Sequence, residues 1–243
     1  HSYNNLTSMK AHKLFCALKP YRLIFHERGN AWNVESSNDI VRKNFKLCRQ
    51  VLCNSQATKL LLHKKFNLPL ENLKVIYNGI ITDQLLELAS KKNVQPQSPL
   101  RIGYIGRLES NNGVPSFIEG VKQLSPRVRR ECNLLFYVAG SLQGKLEELA
   151  GQSVVFHGRC QDSHTAFSNL DLLVVPSIRE PLGNVIIEAA AFKVPVIASD
   201  VDGIPEIIES GKTGLLITPT QPVDARYISQ DVPLPEFVIN PKT

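Results

Sequence analysis

The chain has 243 residues, 43% of them hydrophobic and 21% charged, and its formal net charge is +6. Its length allows two compact domains, and its composition is that of a globular protein rather than a disordered one. No apolar run reaches the roughly 20 residues of a membrane span, and the first residues lack the apolar core of a signal peptide. The small positive excess does not by itself select anionic lipid, phosphate or nucleic acid as a partner.

Five cysteines without a Cys-x-x-Cys pair favour reduced thiols in the cytoplasm over a disulfide framework. His157 and Cys160 have the spacing of zinc ligands, but no second pair completes a site. The sequence therefore predicts no bound metal.

The first part of the chain alternates apolar and amphipathic segments, the pattern of a parallel α/β domain. Strands are predicted at 21–25, 50–53 and 73–77, and helices at 38–47, 55–66 and 81–89. Residues 1–90 are therefore predicted to form a partial first domain, since it lacks the glycine-rich turn with which such a domain normally opens. The polar stretch 91–99, which contains proline, is typical of a linker.

The second part, residues 100–243, has the more complete pattern. Strands are predicted at 100–105, 134–139, 153–156, 171–175, 194–198 and 214–217, and helices at 114–124, 143–150, 163–169, 184–192 and 204–210. Six strands separated by helices predict a Rossmann-like domain whose ligand site lies at the carboxyl ends of the strands. The tail after 217 is predicted to be extended or loop structure.

The stretch SIREPLGNVIIEAAAFKVPVIASD, residues 177–200, joins two predicted strands through an apolar helix that carries one carboxylate, Glu188. Gly183 and Asn184 begin that helix, where free N–H groups and the helix dipole favour phosphate. Because Asn184 and Glu188 are four residues apart, one ligand can place phosphate at the helix end and hydroxyl groups at Glu188. The alternative is a solvated glutamate on an exposed stripe.

Two loops supply further candidates. Glu180 follows strand 171–175, where α/β domains present ligand-binding residues, although a surface or capping role is the alternative. A glycosidase-like acid/base pair of Glu180 with Glu188 is a weaker interpretation, since one loop–helix segment does not obviously provide the required separation. Gly106 and Arg107 end strand 100–105, where glycine admits a ligand and arginine can clamp phosphate.

Together these motifs resemble retaining GT-B-fold glycosyltransferases of family four. REPLGNVIIEAAAFKVPVIASDVDGIPEIIESGKTGLLI is similar to the donor-site segment, with the E-x7-E pattern at Glu180 and Glu188. IGYIGRLESNNG is similar to the Gly-Arg-Leu strand end, VVFHGRCQD to the nucleobase-side loop, and VLCNSQATKLLLHKKF with LKVIYNGI to the close of the first domain. The resemblance covers roughly 20–218 and implies a Rossmann-like carboxyl-terminal donor domain plus a partial Rossmann-like amino-terminal domain.

The resemblance also implies roles for single residues. Glu188 is expected to bind the ribose of a nucleotide-sugar, Glu180 the transferred sugar, and Arg107 the leaving diphosphate. The other expected donor contacts are Gly106, the nucleobase-side residues His157 and Arg159, and the backbone N–H groups of Leu182, Gly183, Asn184 and Val185. His26 follows a first-domain strand, where the family often has a histidine near the reacting sugar, and a structural histidine is the alternative.

The sequence departs from the family pattern in two ways. Asn112 stands where the family usually has a lysine that contacts the diphosphate, five residues after Arg107. The opening of the first domain and the carboxyl-terminal helices are missing, so we expect a chain truncated at both ends.

The function implied is transfer of a sugar, with retention, from a UDP- or GDP-linked donor to a saccharide or lipid-linked acceptor, a cell-surface polysaccharide or glycolipid. No metal and no nucleic acid take part. The expected location is the cytoplasm, with peripheral contact with the anionic inner face of the membrane. Two alternatives stay open: a nucleotide-sugar-binding module without turnover, and an enzyme like the nucleotide-sugar 2-epimerases.

Overall fold

A computed structural model describes residues 7–18, 23–80, 87–90, 98–160 and 163–220. The chain divides into two compact units between Asn78 and Gly79, before the predicted linker at 91–99. Most of that linker, most of the helix predicted at 81–89, and the tail from 221 onward lie outside the described residues. Among the residues described, no helix is long and apolar enough to cross a membrane.

The first unit contains a parallel sheet of three strands in the order β1-β2-β3. The strands are β1 (Ile24–Glu27), β2 (Gln50–Cys53) and β3 (Leu73–Val75), and the helices are α1 (Met9–Ala17), α2 (Asp39–Leu47) and α3 (Gln56–Phe66). Side chains cap all three helices, since Ser8, Asn38 and Ser55 each accept a hydrogen bond from a backbone N–H of the first turn. The sequence analysis missed α1, since it predicted no element before residue 21.

The second unit contains a parallel sheet of six strands in the order β6-β5-β4-β7-β8-β9. The strands are β4 (Leu100–Arg107), β5 (Cys132–Ala139), β6 (Val155–Phe156), β7 (Leu172–Val175), β8 (Val196–Ser199) and β9 (Leu215–Ile217). The helices are α4 (Val114–Lys122), α5 (Pro126–Arg130), α6 (Gln143–Ala150), α7 (Ser163–Ser168) and α8 (Asn184–Ala191). The chain builds outward from β4 to β6 and then returns to the other side of β4, so the carboxyl ends of β4 and β7 meet at the point where the order reverses.

Two predictions for this unit need correction. The sequence analysis missed α5, a short helix that is capped by Ser125. The helix predicted at 204–210 is only a 3-10 turn over Ile204–Glu206. The N–H of Glu209 donates to the hydroxyl oxygen of Thr213 instead of to a helical carbonyl oxygen, and the N–H of Gly211 then bonds to the carbonyl oxygen of Gly214 in the turn before β9. The other strands and helices predicted between residues 100 and 217 are present with small shifts at their ends, and of the helix predicted at 81–89 the described residues are helical.

Candidate functional site

Three loops meet at the carboxyl ends of β4, β7 and β8. The carbonyl oxygen of Asn111, in the loop after β4, accepts the N–H groups of Ile178 at 2.8 Å and Arg179 at 3.2 Å, both in the loop after β7. The N–H of Gly203, in the loop after β8, donates to the carbonyl oxygen of Glu180 at 3.0 Å. The backbone around Glu180 is therefore held by hydrogen bonds from both neighbouring loops.

The contact between the first two loops requires a glycine. Gly113 has a φ of +65°, and a Cβ at this position would overlap the carbonyl oxygen of Pro176. Only a residue without a side chain combines this left-handed conformation with so close an approach.

Glu180 is partly buried, and its carboxyl group turns back toward the start of α8. Burial raises the pKa of this carboxyl group to about 6, while the backbone N–H groups of Leu182 and Gly183, within hydrogen-bonding reach, oppose the shift. Gly183 has a φ of 97° and precedes the helix as its N-cap. The turn at Gly183 thus directs the Glu180 carboxyl group toward N–H groups that the sequence analysis expected to contact the diphosphate and sugar of the donor.

Arg107 lies at the same edge of the sheet as Glu180. It ends β4 directly after Gly106, its side chain is 74% exposed, and its guanidinium is 3.4 Å from a carboxylate oxygen of Glu109. Its positive charge also acts to lower the pKa of the Glu180 carboxyl group, as the smallest of the influences on that group. An exposed cation at this edge is available to an anionic ligand.

Glu188 lies on α8, four residues after Asn184, and is half-buried. Desolvation raises the pKa of its carboxyl group. Among the described residues, no side chain forms a hydrogen bond or ion pair with this carboxylate. The neighbouring residues Ile186 and Ala189 are buried in the core, so the helix holds Glu188 at the border between core and solvent. Asn184 is exposed and Val185 half-buried at the helix start.

His157 and Arg159 follow β6, which is separated from β4 by β5. Both are exposed, and the His157 ring stacks on Tyr137 with centroids 4.7 Å apart and planes 12° apart. The carbonyl oxygen of Gly158 accepts the N–H of Val138 at 2.8 Å, which fixes the backbone between them. These residues lie farther along the same edge of the sheet, where a second end of a long ligand can be held.

His26 belongs to the first unit, within β1. Its Nε2 atom is buried and has no hydrogen-bond partner among the described residues. Burial and the positive charge of Arg28 lower the pKa of the ring, so His26 is neutral at pH 7. The next residue, Glu27, accepts the N–H groups of Gly29 at 2.7 Å and Ala31 at 3.0 Å and so shapes the loop after His26.

The second unit matches a known family. The family model described as glycosyl transferases group 1 matches residues 99–227, more than half of the chain. The chain belongs to the glycosyl transferases group 1 family. An uncharacterized glycosyltransferase of Methanocaldococcus jannaschii is 28% identical in an alignment of 213 positions that covers 79% of this chain and 53% of that protein. The capsular polysaccharide biosynthesis glycosyltransferase CapM of Staphylococcus aureus is 28% identical in an alignment of 162 positions that covers 63% of this chain and 38% of CapM. The chain thus spans about half or less of the length of these relatives.

Solved structures of glycosyltransferases share the fold. Anabaena HepE in complex with UDP and glucose has a TM-score of 0.65 at 23% identity, over 86% of this chain and 62% of HepE. WaaG, a glycosyltransferase involved in lipopolysaccharide biosynthesis, has a TM-score of 0.65 at 18% identity, over 90% of this chain and 71% of WaaG. These likenesses confirm the predicted GT-B-like α/β fold.

The structure of this group 1 chain also places residues at the site that the sequence analysis did not single out. Arg179 and Asp202 form a buried ion pair beside Glu180. The hydroxyl group of Tyr104, on β4, donates to the carbonyl oxygen of Arg107 at 2.8 Å. Tyr104 looks like an ordinary core residue in the sequence, and only the fold brings its hydroxyl group to the strand end. Among the described residues, no cluster of three or more His, Cys, Asp or Glu side chains could hold a metal ion.

Proposed function

We propose that this protein binds a nucleotide-sugar in its second unit and transfers the sugar, with retention of anomeric configuration, to a saccharide or lipid-linked acceptor. The observation that carries the proposal is the Glu188 carboxylate, half-buried on an apolar helix with no partner among the described side chains. A carboxylate in such a place is stabilised by ligand hydroxyl groups, and two vicinal ribose hydroxyls supply two donors. We therefore assign Glu188 to the ribose.

The diphosphate is assigned to the start of α8 and to Arg107. The first N–H groups of a helix and its dipole favour an anion, and Arg107 is an exposed cation at the same edge. Because Glu180 faces the N–H groups of Leu182 and Gly183, the N–H groups of Asn184 and Val185 are the more accessible ones. We therefore assign the diphosphate to the N–H groups of Asn184 and Val185, two of the four residues that the sequence analysis expected to contact the donor.

The chemistry follows from these charges. The bond between the anomeric carbon and the diphosphate oxygen breaks, and the acceptor hydroxyl oxygen bonds to that carbon while its proton passes to the departing diphosphate. Negative charge grows on the diphosphate, where Arg107 and the helix end stabilise it. Glu180 is assigned to hydroxyl groups of the sugar, and His26 to the neighbourhood of the reacting sugar.

We base the proposed acceptor class and the proposed cellular location of the protein on its relatives. CapM acts in capsular polysaccharide biosynthesis and WaaG in lipopolysaccharide biosynthesis. A cell-surface polysaccharide or glycolipid precursor is therefore the acceptor class that we propose, with the protein in the cytoplasm and against the anionic inner face of the membrane.

A second candidate is a nucleotide-sugar-binding module without turnover, which Asn112 favours because it removes a cation from the expected diphosphate site. Incubation of the purified protein with UDP-glucose and GDP-mannose separates the candidates. With water as the acceptor, release of UDP or GDP together with the α-anomer of the free sugar, seen by NMR before mutarotation, supports the transferase, and initial release of the β-anomer contradicts retention. Epimerised donor indicates a 2-epimerase, and saturation-transfer signals without turnover indicate the binding module. Absence of both binding and turnover overturns the proposal.

A further inference from the structure

A buried ion pair between Arg179 and Asp202 lies beside the backbone of Glu180. The Arg179 guanidinium lies 2.9 Å from Oδ1 of Asp202, and the two side chains are only 7% and 1% exposed. Oδ2 of Asp202 accepts the N–H of Glu180 at 3.1 Å, and the next residue, Gly203, donates its N–H to the Glu180 carbonyl oxygen at 3.0 Å. Both backbone polar groups of Glu180 are therefore bonded to residues 202 and 203.

This arrangement is costly for the folded protein. Asp202 has a φ of 47°, a left-handed conformation that is unfavourable for a residue with a side chain. Burial of two charges also carries a desolvation penalty that their attraction often does not exceed. An ion pair of this kind is weak evidence for stability, and its place beside a candidate site residue indicates another role.

We propose that Arg179 and Asp202 are positioning residues that hold the Glu180 carboxyl group at the place where it meets the sugar of the donor. The role in donor use depends on the proposed function, whereas the placement of Glu180 can be tested without it.

The contacts explain why placement depends on the pair. The backbone N–H of Arg179 bonds to the loop after β4, and its side chain bonds to Asp202. The backbone that leads into Glu180 is therefore fixed in position. Asp202 then fixes the Glu180 N–H, and the carboxyl group reaches the N–H groups of Leu182 and Gly183. Arg179 also offsets the negative charge of Asp202, which otherwise opposes ionisation of Glu180 more strongly.

The test uses Asp202→Asn, Arg179→Met and the double variant. Each single change leaves one buried group without its charged partner and is expected to lower the melting temperature, whereas the double change removes both charges and restores part of it. The matched control is Arg101→Met with Asp171→Asn, which removes another ion pair, at 2.8 Å, between the amino ends of β4 and β7. That edge of the sheet is opposite to the site.

Two readouts separate positioning from stability. In the wild-type protein, the backbone amide resonances of Leu182 and Gly183 should follow the titration of Glu180, with a midpoint of about 6. In the double variant we expect this titration to move or disappear. We also expect kcat/KM for UDP-glucose to fall about tenfold or more, with UDP affinity within about threefold of wild type. The control pair should change neither quantity.

The experiment distinguishes failure of the positioning role from failure of the proposed function. If the double variant keeps both the wild-type amide titration and the wild-type kcat/KM, the positioning role is wrong. If the wild-type protein neither binds nor turns over a nucleotide-sugar, the proposed function fails, and the amide titration alone still decides whether the pair places Glu180.

Discussion

The hydroxyl group of Tyr104 donates to the carbonyl oxygen of Arg107 at 2.8 Å, so a buried side chain of β4 fixes the strand end that carries the cation. Burial raises the pKa of the Tyr104 hydroxyl, so it stays protonated and can donate. The side chain of Asn112, in the loop after β4, acts to lower the pKa of this hydroxyl. Asn112 also stands at the position where the family resemblance leads us to expect a lysine.

We predict that Asn112→Lys tightens UDP binding by about tenfold at low salt, because a cation–phosphate contact contributes roughly 1–3 kcal/mol. The gain should shrink as ionic strength rises. Gln123→Lys, an exposed position at the end of α4, adds the same charge away from the site and is the control in calorimetric titrations. No gain at low salt would show that another basic group occupies the place or that the loop does not reach the phosphates.

Glu188→Ala should weaken binding of UDP and UDP-glucose alike, by roughly 1–3 kcal/mol, because both ligands lose the acceptor for their ribose hydroxyls. The free protein should become no less stable, since the variant removes a carboxylate whose charged form is disfavoured by burial. Glu148→Ala, an exposed glutamate on α6, is the matched control. Unchanged affinity of the folded Glu188 variant, measured by calorimetry, would reject the ribose assignment.

The Glu180 carboxyl group should make donor binding depend on pH. Its pKa is raised from 4.5 to about 6, and sugar hydroxyls donate to the ionised form, so UDP-glucose affinity should rise as pH increases through about 6. Glu180→Gln should abolish this dependence and impair use of the sugar, while free UDP binds nearly as in wild type. An equal loss of UDP affinity would make Glu180 a nucleotide ligand instead.

The same shift predicts an opposite trend in folding stability. Between pH 4.5 and 6 the folded state binds the Glu180 proton more tightly than the unfolded state does. The stabilisation from this group is therefore complete below 4.5 and is lost as pH rises through about 6, an effect of up to about 2 kcal/mol. Urea unfolding of wild type and Glu180→Gln over this range should show the difference, and parallel curves would contradict the raised pKa.

Gly113→Ala should be among the most destabilising substitutions near the site. A methyl group there meets both a positive φ and the Pro176 carbonyl oxygen, whereas Gly211→Ala meets a positive φ of 85° with no atom within 4 Å. We expect Gly211→Ala to cost about 1–2 kcal/mol and Gly113→Ala at least about 2 kcal/mol more. Equal melting temperatures for the two variants would show that the loop after β7 moves away freely.

The sequence predicted those strands and helices that a short run of neighbouring residues is enough to identify. The strands of the second unit are short apolar runs bounded by polar or glycine-containing segments, and α8 has a clear start at Gly183, so both were predicted with small errors at their ends. The helix α1 was missed because it is only nine residues long and its capping residue, Ser8, ends a polar stretch in which one serine does not stand out. The helix predicted at 204–210 is cut short because the N–H of Glu209 donates to the hydroxyl oxygen of Thr213, a contact that the local pattern does not reveal.

The site was predicted only where one motif contains it. Glu180, Gly183 and Glu188 lie within nine residues, so the sequence shows their spacing. The partners Arg179 and Asp202 are 23 residues apart and meet only because β8 packs beside β7. Nothing in the local pattern distinguishes Asp202 from a surface turn residue before the fold buries it.

The helix α8 also gives the site a fixed length. Asn184 and Glu188 are separated by four residues, which is about 6 Å along a helix axis. With the proposed assignments, this rigid spacing sets the distance between the phosphate at the helix start and the ribose at Glu188. A donor whose sugar is linked through a single phosphate has fewer atoms between them, so we expect it to occupy only one of the two positions, whatever its base.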